Sequence, residues 1–145
     1  MATDVQTRSL SDLTGTRRGA LIAYRWLLLA FLLAGAAQIF LAGLAVFSVT
    51  SQAASTDSAF SAHRGLGFAM GGVALIIGIL ALIARPGVLP LALAGVLVVQ
   101  TSLLQSLLAA LADNATLYGG LHALDGLLTL GIAGFLYASA RRWRS

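Results

Sequence analysis

"VALIIGILALIARPGVLPLALAGVLVV", residues 73–99, consists of two apolar runs separated by the short segment Arg85–Pro90. Proline lacks a backbone N–H and cannot continue a helix, so "RPGVLP" (85–90) ends one helix and opens the next in a tight turn. Followed outward, the first run reaches back to Arg64, with its helix expected to start near Asp57, and the second reaches Leu111. Two more apolar runs flank them, from about Trp26 to Val49 and from about Leu117 to Ala140. Each has the twenty-odd residues that an α-helix needs to cross the hydrocarbon of a bilayer. Helices are required there because lipid offers no water to satisfy backbone N–H and C=O groups.

Composition agrees. Of the 145 residues, 59% are hydrophobic and 10% charged. A water-soluble domain carries roughly a quarter charged residues. The net charge of +4 comes from arginines at the edges of apolar runs, the placement of cations in membrane proteins, and it is read as topology rather than as a nucleic-acid surface. The chain has no cysteine, which excludes disulfides, thiolate metal sites, iron–sulfur clusters and covalently attached haem. Lysine and glutamate are absent as well.

The connecting segments "TSQAASTDS" (50–58) and "ADNA" (112–115) are polar and short, so neighbouring helices should run antiparallel in an up-down-up-down four-helix bundle. The expected fold is therefore all-α and integral to the membrane, with residues 21–145 as the transmembrane domain. Residues 1–20, polar and without an apolar face, are expected to form a flexible tail. "TRRGALIAYRW" (16–26) has a twin-arginine look, but the apolar run after it is too long for a cleaved signal. Arg8, Arg17, Arg18 and Arg25 precede the first run, Arg85 lies between the second and third, and Arg141, Arg142 and Arg144 follow the fourth. Both termini are therefore expected in the cytoplasm of a bacterial cell, the protein crossing its inner membrane four times. Tyr24, Trp26, Tyr137 and Trp143 fit an aromatic belt on that side.

The two histidines sit in similar settings. "SAHRGLGFAMGG" (61–72) and "YGGLHALDGLL" (118–128) each place one at the mouth of an apolar run. Six residues before His63 is Asp57, and six before His122 is Thr116, both good helix N-cap types. Four residues after each is a glycine, Gly67 or Gly126. "AGAAQIFLAGL" (34–44) resembles "AGVLVVQTSLLQSL" (94–107), with Gln38 near the place of Gln100. The chain thus reads as two repeated helical hairpins related by an axis along the membrane normal. At 1.5 Å per residue, His63 lies about 33 Å from Arg85 and His122 about 28 Å from Arg141, so both sit near the outer face.

If their helices face each other, His63 and His122 converge and can ligate one b-type haem from both sides. A residue at i+4 shares the histidine's face, so Gly67 and Gly126 would let a porphyrin lie against the backbone. Arg64 could neutralise a haem propionate. Asp125 could orient an imidazole or pair with Arg64, since a carboxylate inside a bilayer is costly and usually functional. Other readings stay open. The histidines can be plain interhelical contacts, as can Gln38, Gln100 and Gln105, or they can hold another metal or a proton. Zinc suits the pair less well because it usually takes three or four protein ligands.

"AHRGLGFAMGG" (62–72) and "LHALDGLL" (121–128) resemble the histidine-bearing segments of haem A synthase. That family has eight helices in two similar four-helix halves, each with a histidine on its second and fourth helices. The resemblance covers one half and implies that His63 and His122 are axial haem ligands near the outer face. The chain is also similar to small four-helix bacterial membrane proteins with "HR" at the start of the second helix. It lacks the acidic residue that haem A synthase carries early in its first hairpin, the extracytoplasmic cysteines and the second histidine pair. The hydroxylating activity therefore does not follow, unless two copies restore eight helices. The functional expectation is a b-type haem protein for electron transfer, haem handling or redox sensing. Its partners would be the bilayer and either a redox protein or a second copy. The alternative is a non-catalytic structural or accessory membrane protein.

Overall fold

The computed structural model describes residues 9–10 and 13–143. All the elements among them are helical: α1 (Gly15–Thr50), a single turn α2 (Thr56–Ala59), α3 (Ser61–Ala84), α4 (Val88–Val99), a π-helical turn (Gln100–Leu104), α5 (Gln105–Leu111) and α6 (Thr116–Ala140). With α4, the π turn and α5 running on as one segment, four helices are long and apolar enough to cross a membrane.

Their core faces follow helical periodicity. Leu21, Tyr24, Leu28, Phe31 and Gly35 are buried on α1, and Met70, Ala74, Ile77, Ala81 and Ala84 on α3. Ala94, Leu97 and Thr101 are buried on the third segment, and Asp125, Thr129, Ala133, Leu136 and Ala140 on α6. Most of the contact residues on α3 and α6 are small, which lets backbones approach closely. At Gly35 the α1–α6 approach is so tight that a Cβ would overlap the side chain of Leu130. The opposite faces are just as greasy: Phe40, Phe47, Phe68, Leu82 and Leu103 are all exposed. A surface of this kind is adapted to lipid rather than water.

Helix α1 packs on α3 and α6, and the segment α4–α5 packs on the same two helices. The helices bearing the two histidines, α3 and α6, thus stand diagonally opposed. Between α3 and α4, Arg85 takes a left-handed conformation (φ 50°) and Gly87 has φ 130°. Pro86 disfavours α geometry at the residue before it, and only glycine readily adopts the Gly87 backbone. Pro90 falls in the first turn of α4, where no intrahelical N–H bond is needed.

The helices and belt aromatics differ from the sequence reading in four places. Helix α1 starts at Gly15, eleven residues before the apolar run at Trp26, so it takes in six residues of the expected tail. Residues 1–8 and 11–12 of that tail lie outside the described residues. Neither Asp57 nor Thr116 caps a helix. Ser55 caps α2, and α6 begins after Ala115 without a side-chain cap. Of the four belt aromatics, Tyr24 and Trp143 are buried because they fall on core-facing positions, while Trp26 is 68% exposed. The π turn has no counterpart in a simple reading of apolar periodicity.

Candidate functional site

The two imidazoles meet. Their ring centroids are 6.1 Å apart with the planes at 66°, and both residues are half-buried. Each ring is held in the same way. His63 Nδ1 lies 3.2 Å from the backbone oxygen of Gln38 on α1. His122 Nδ1 lies 3.0 Å from the backbone oxygen of Gln105, the first residue of α5. A carbonyl only accepts, so Nδ1 carries a proton in both rings, and in the neutral imidazole Nε2 then keeps its lone pair. This is the arrangement in which the second nitrogen of a histidine is prepared to ligate a metal. Phe60 sets its ring edge-on to His63, with centroids 6.0 Å apart.

The glycines one turn after each histidine make room for glutamine side chains. A Cβ at Gly67 would lie 3.0 Å from Gln38 Nε2, and one at Gly126 would lie 3.6 Å from Gln105 Nε2. The geometric counterpart of Gln38 is therefore Gln105, five residues beyond the Gln100 that sequence comparison aligned with it. Gln38, His63 and Gly67 form one half of the site, and Gln105, His122 and Gly126 form the other.

Asp125 is buried at 7% exposure, and its carboxylate is served by two amides. Gln100 Nε2 donates to one oxygen and Gln105 Nε2 to the other, both at 2.9 Å. Gln105 Nε2 also lies 3.2 Å from the backbone oxygen of His122. Asp125 thus contacts neither imidazole directly; it fixes the glutamine whose backbone holds one of them. The expected pairing of Asp125 with Arg64 does not occur. Arg64 turns back to Asp57, donating to its backbone oxygen at 2.7 Å and approaching its carboxylate at 3.7 Å. Arg64 lies in the first turn of α3, so the Asp57 carboxylate on α2 is within closer reach than the bundle interior.

The π turn makes the double contact with Asp125 possible. In a regular α-helix, residues five apart point about 140° away from each other. The Gln105 N–H instead bonds to the Gln100 carbonyl, an i→i+5 bond, and the wider turn brings the two glutamine side chains toward one face. Within it, Thr101 Oγ1 donates to the Leu97 carbonyl at 2.8 Å, a contact that loosens regular helical bonding. Sequence reasoning treated Gln105 as interhelical glue. The available signal was the pair of glutamines spaced by five around "TSLL" in an otherwise apolar helix.

Two amide oxygens in this region, Gln38 Oε1 and Gln100 Oε1, are buried without a donor. No group of three or more histidine, cysteine, aspartate or glutamate side chains that could hold a metal ion is found among the described residues, so a ligand set built on these imidazoles is the two histidines alone. The rings meet edge to face at 6.1 Å, a centroid spacing that would also suit a metal held between the two Nε2 atoms by bonds of ~2 Å. Compared with family models, curated proteins and solved structures, the chain matches none.

Proposed function

We propose that this chain is an up-down-up-down four-helix protein of the bacterial inner membrane, with cytoplasmic termini, that holds one b-type haem between His63 and His122. The observation that carries the reading is the pair of imidazoles 6.1 Å apart, each with Nδ1 committed to a backbone carbonyl. Two neutral imidazoles without thiolate or carboxylate ligands suit haem iron better than zinc, which usually takes more protein ligands. When bound, the haem supplies one-electron redox chemistry, which fits electron transfer, haem handling or redox sensing.

The chain's own residues give that site its form. The carbonyls of Gln38 and Gln105 fix each ring's tautomer and orientation. Asp125 holds Gln105 and Gln100, and through Gln105 it positions His122. Gly67 and Gly126 leave room for the two glutamine amides beside the histidines. Arg64 is half exposed and its partner Asp57 almost wholly so; such a pair is weak, leaving the guanidinium able to turn to a propionate. The resemblance to one half of haem A synthase supports haem as the cofactor but not oxygenase activity.

A second reading has an observation in its favour. The same Nδ1 bonds join α3 to α1 and α6 to α5, and would do so in a purely structural or accessory protein. Absorption spectra of protein purified from haem-replete cells separate the two. A Soret band that shifts on reduction and disappears in both His63→Ala and His122→Ala supports haem binding. Colourless wild-type protein from fresh membranes supports the structural reading.

A further inference from the structure

At the other end of the bundle, α1 and α6 enclose a cleft of about 380 Å³ lined by Ile22, Arg25, Trp26, Tyr137 and Arg141. Helical spacing builds it: residues 22, 25 and 26 share one face of α1, and Tyr137 lies four residues before Arg141, the C-cap of α6. The Arg141 guanidinium lies 5.8 Å from the centre of the Tyr137 ring, a cation–π contact that holds the charge over the cleft. Arg25 Nη1 reaches the backbone oxygen of Trp143 at 3.5 Å, three residues past the end of α6. Its charge is therefore at the helix ends, not in mid-bilayer. Among the described residues the one ion pair is Arg64–Asp57, far from this cleft. Two arginines line it, and among the described residues neither is paired with a carboxylate and most of their donors are unused. Trp26 and Ile22 form an exposed apolar wall on the side where lipid would lie.

We propose that this cleft binds the phosphate of an anionic membrane phospholipid, with Arg25 and Arg141 as its ligands and Trp26 and Ile22 against the upper acyl chains. Paired guanidiniums match phosphate oxygens in geometry and charge, and basic pockets between helix ends are where such headgroups bind. The adjoining apolar wall favours a lipid over a free anion. The inference rests on the bilayer reading and is independent of haem.

Native mass spectrometry of the full chain, extracted from membranes in detergent, tests it with phosphatidylglycerol, phosphatidylcholine or inorganic phosphate added. Wild-type protein should retain phosphatidylglycerol over phosphatidylcholine and show no inorganic phosphate adduct. Arg25→Gln and Arg141→Gln should each lower retention about fivefold, whereas Arg85→Gln, outside the cleft, should leave it unchanged. Arg25→Lys with Arg141→Lys should recover part of it, which distinguishes a lost charge from a lost fold. Equal retention of the two lipids, undiminished retention in the glutamine variants or saturable binding of inorganic phosphate alone would each overturn the proposal. Protein found in the soluble fraction without detergent would instead refute the bilayer reading.

Discussion

The two halves of the histidine site hold their rings by the same contact and differ in how the glutamine side chain behind it is held. On the His122 side, the carbonyl that accepts from Nδ1 belongs to Gln105, whose amide is tied to Asp125, which in turn accepts from Gln100 across a π turn. On the His63 side, Gln38 supplies the same carbonyl, but its side-chain oxygen is buried without a donor. One imidazole is braced by a buried network, and the other relies on packing against Phe60 and the room left by Gly67. A site need not have two equally rigid walls to hold something between them.

The largest effects are expected at the two rings. His63→Ala and His122→Ala should each abolish the six-coordinate haem spectrum. If one of them keeps it intact, the two halves do not act as a pair. Next in size is Asp125→Ala, which strands two half-buried amides and should cost about 2–4 kcal/mol of stability, read as a lower unfolding temperature in detergent. Gln38→Ala removes no buried hydrogen bond of comparable strength and should cost no more than about 1–2 kcal/mol. Equal losses would erase the proposed difference between the walls.

The glycines sharpen the comparison on a smaller scale. A Cβ at Gly67 meets the Gln38 amide at 3.0 Å, whereas one at Gly126 stays at an ordinary contact distance of 3.6 Å. Gly67→Ala should therefore move the end of the Gln38 side chain by a few tenths of an ångström and weaken haem affinity about twofold, the Gln38 carbonyl still holding the ring, while Gly126→Ala should leave affinity unchanged. A haem titration of each variant measures this. The smallest effect is expected at Arg64, whose exposed pairing with Asp57 contributes at most about 0.5 kcal/mol to the fold. Arg64→Gln should leave the unfolding temperature nearly unchanged.

Much of the fold was legible because lipid imposes a simple requirement: long apolar helices with polar breaks between them. The break at Pro86 and Gly87 and the ends of the third and fourth apolar segments followed directly from residue types. The start of α1 did not, because residues 15–20 are polar and become helical as an extension beyond the apolar run. His63 and His122 were recognisable as a pair from their matching positions. The role of Gln105 was hidden because sequence comparison counts residues at α-helical spacing, and the π turn changes that spacing just before Gln105. The partner of Arg64 was missed for a different reason. Its nearest carboxylate lies seven residues back, across the break between α2 and α3 at Phe60, where a one-turn helix folds the loop toward it.

The most direct test of the central claim is titration of haem into the purified, haem-free protein, followed by absorption in oxidised and reduced states. Wild-type protein should saturate at one haem per chain with a six-coordinate, low-spin spectrum, and either histidine variant should lose that spectrum. Absence of saturable binding, or the same spectrum in the double variant His63→Ala/His122→Ala, would contradict it.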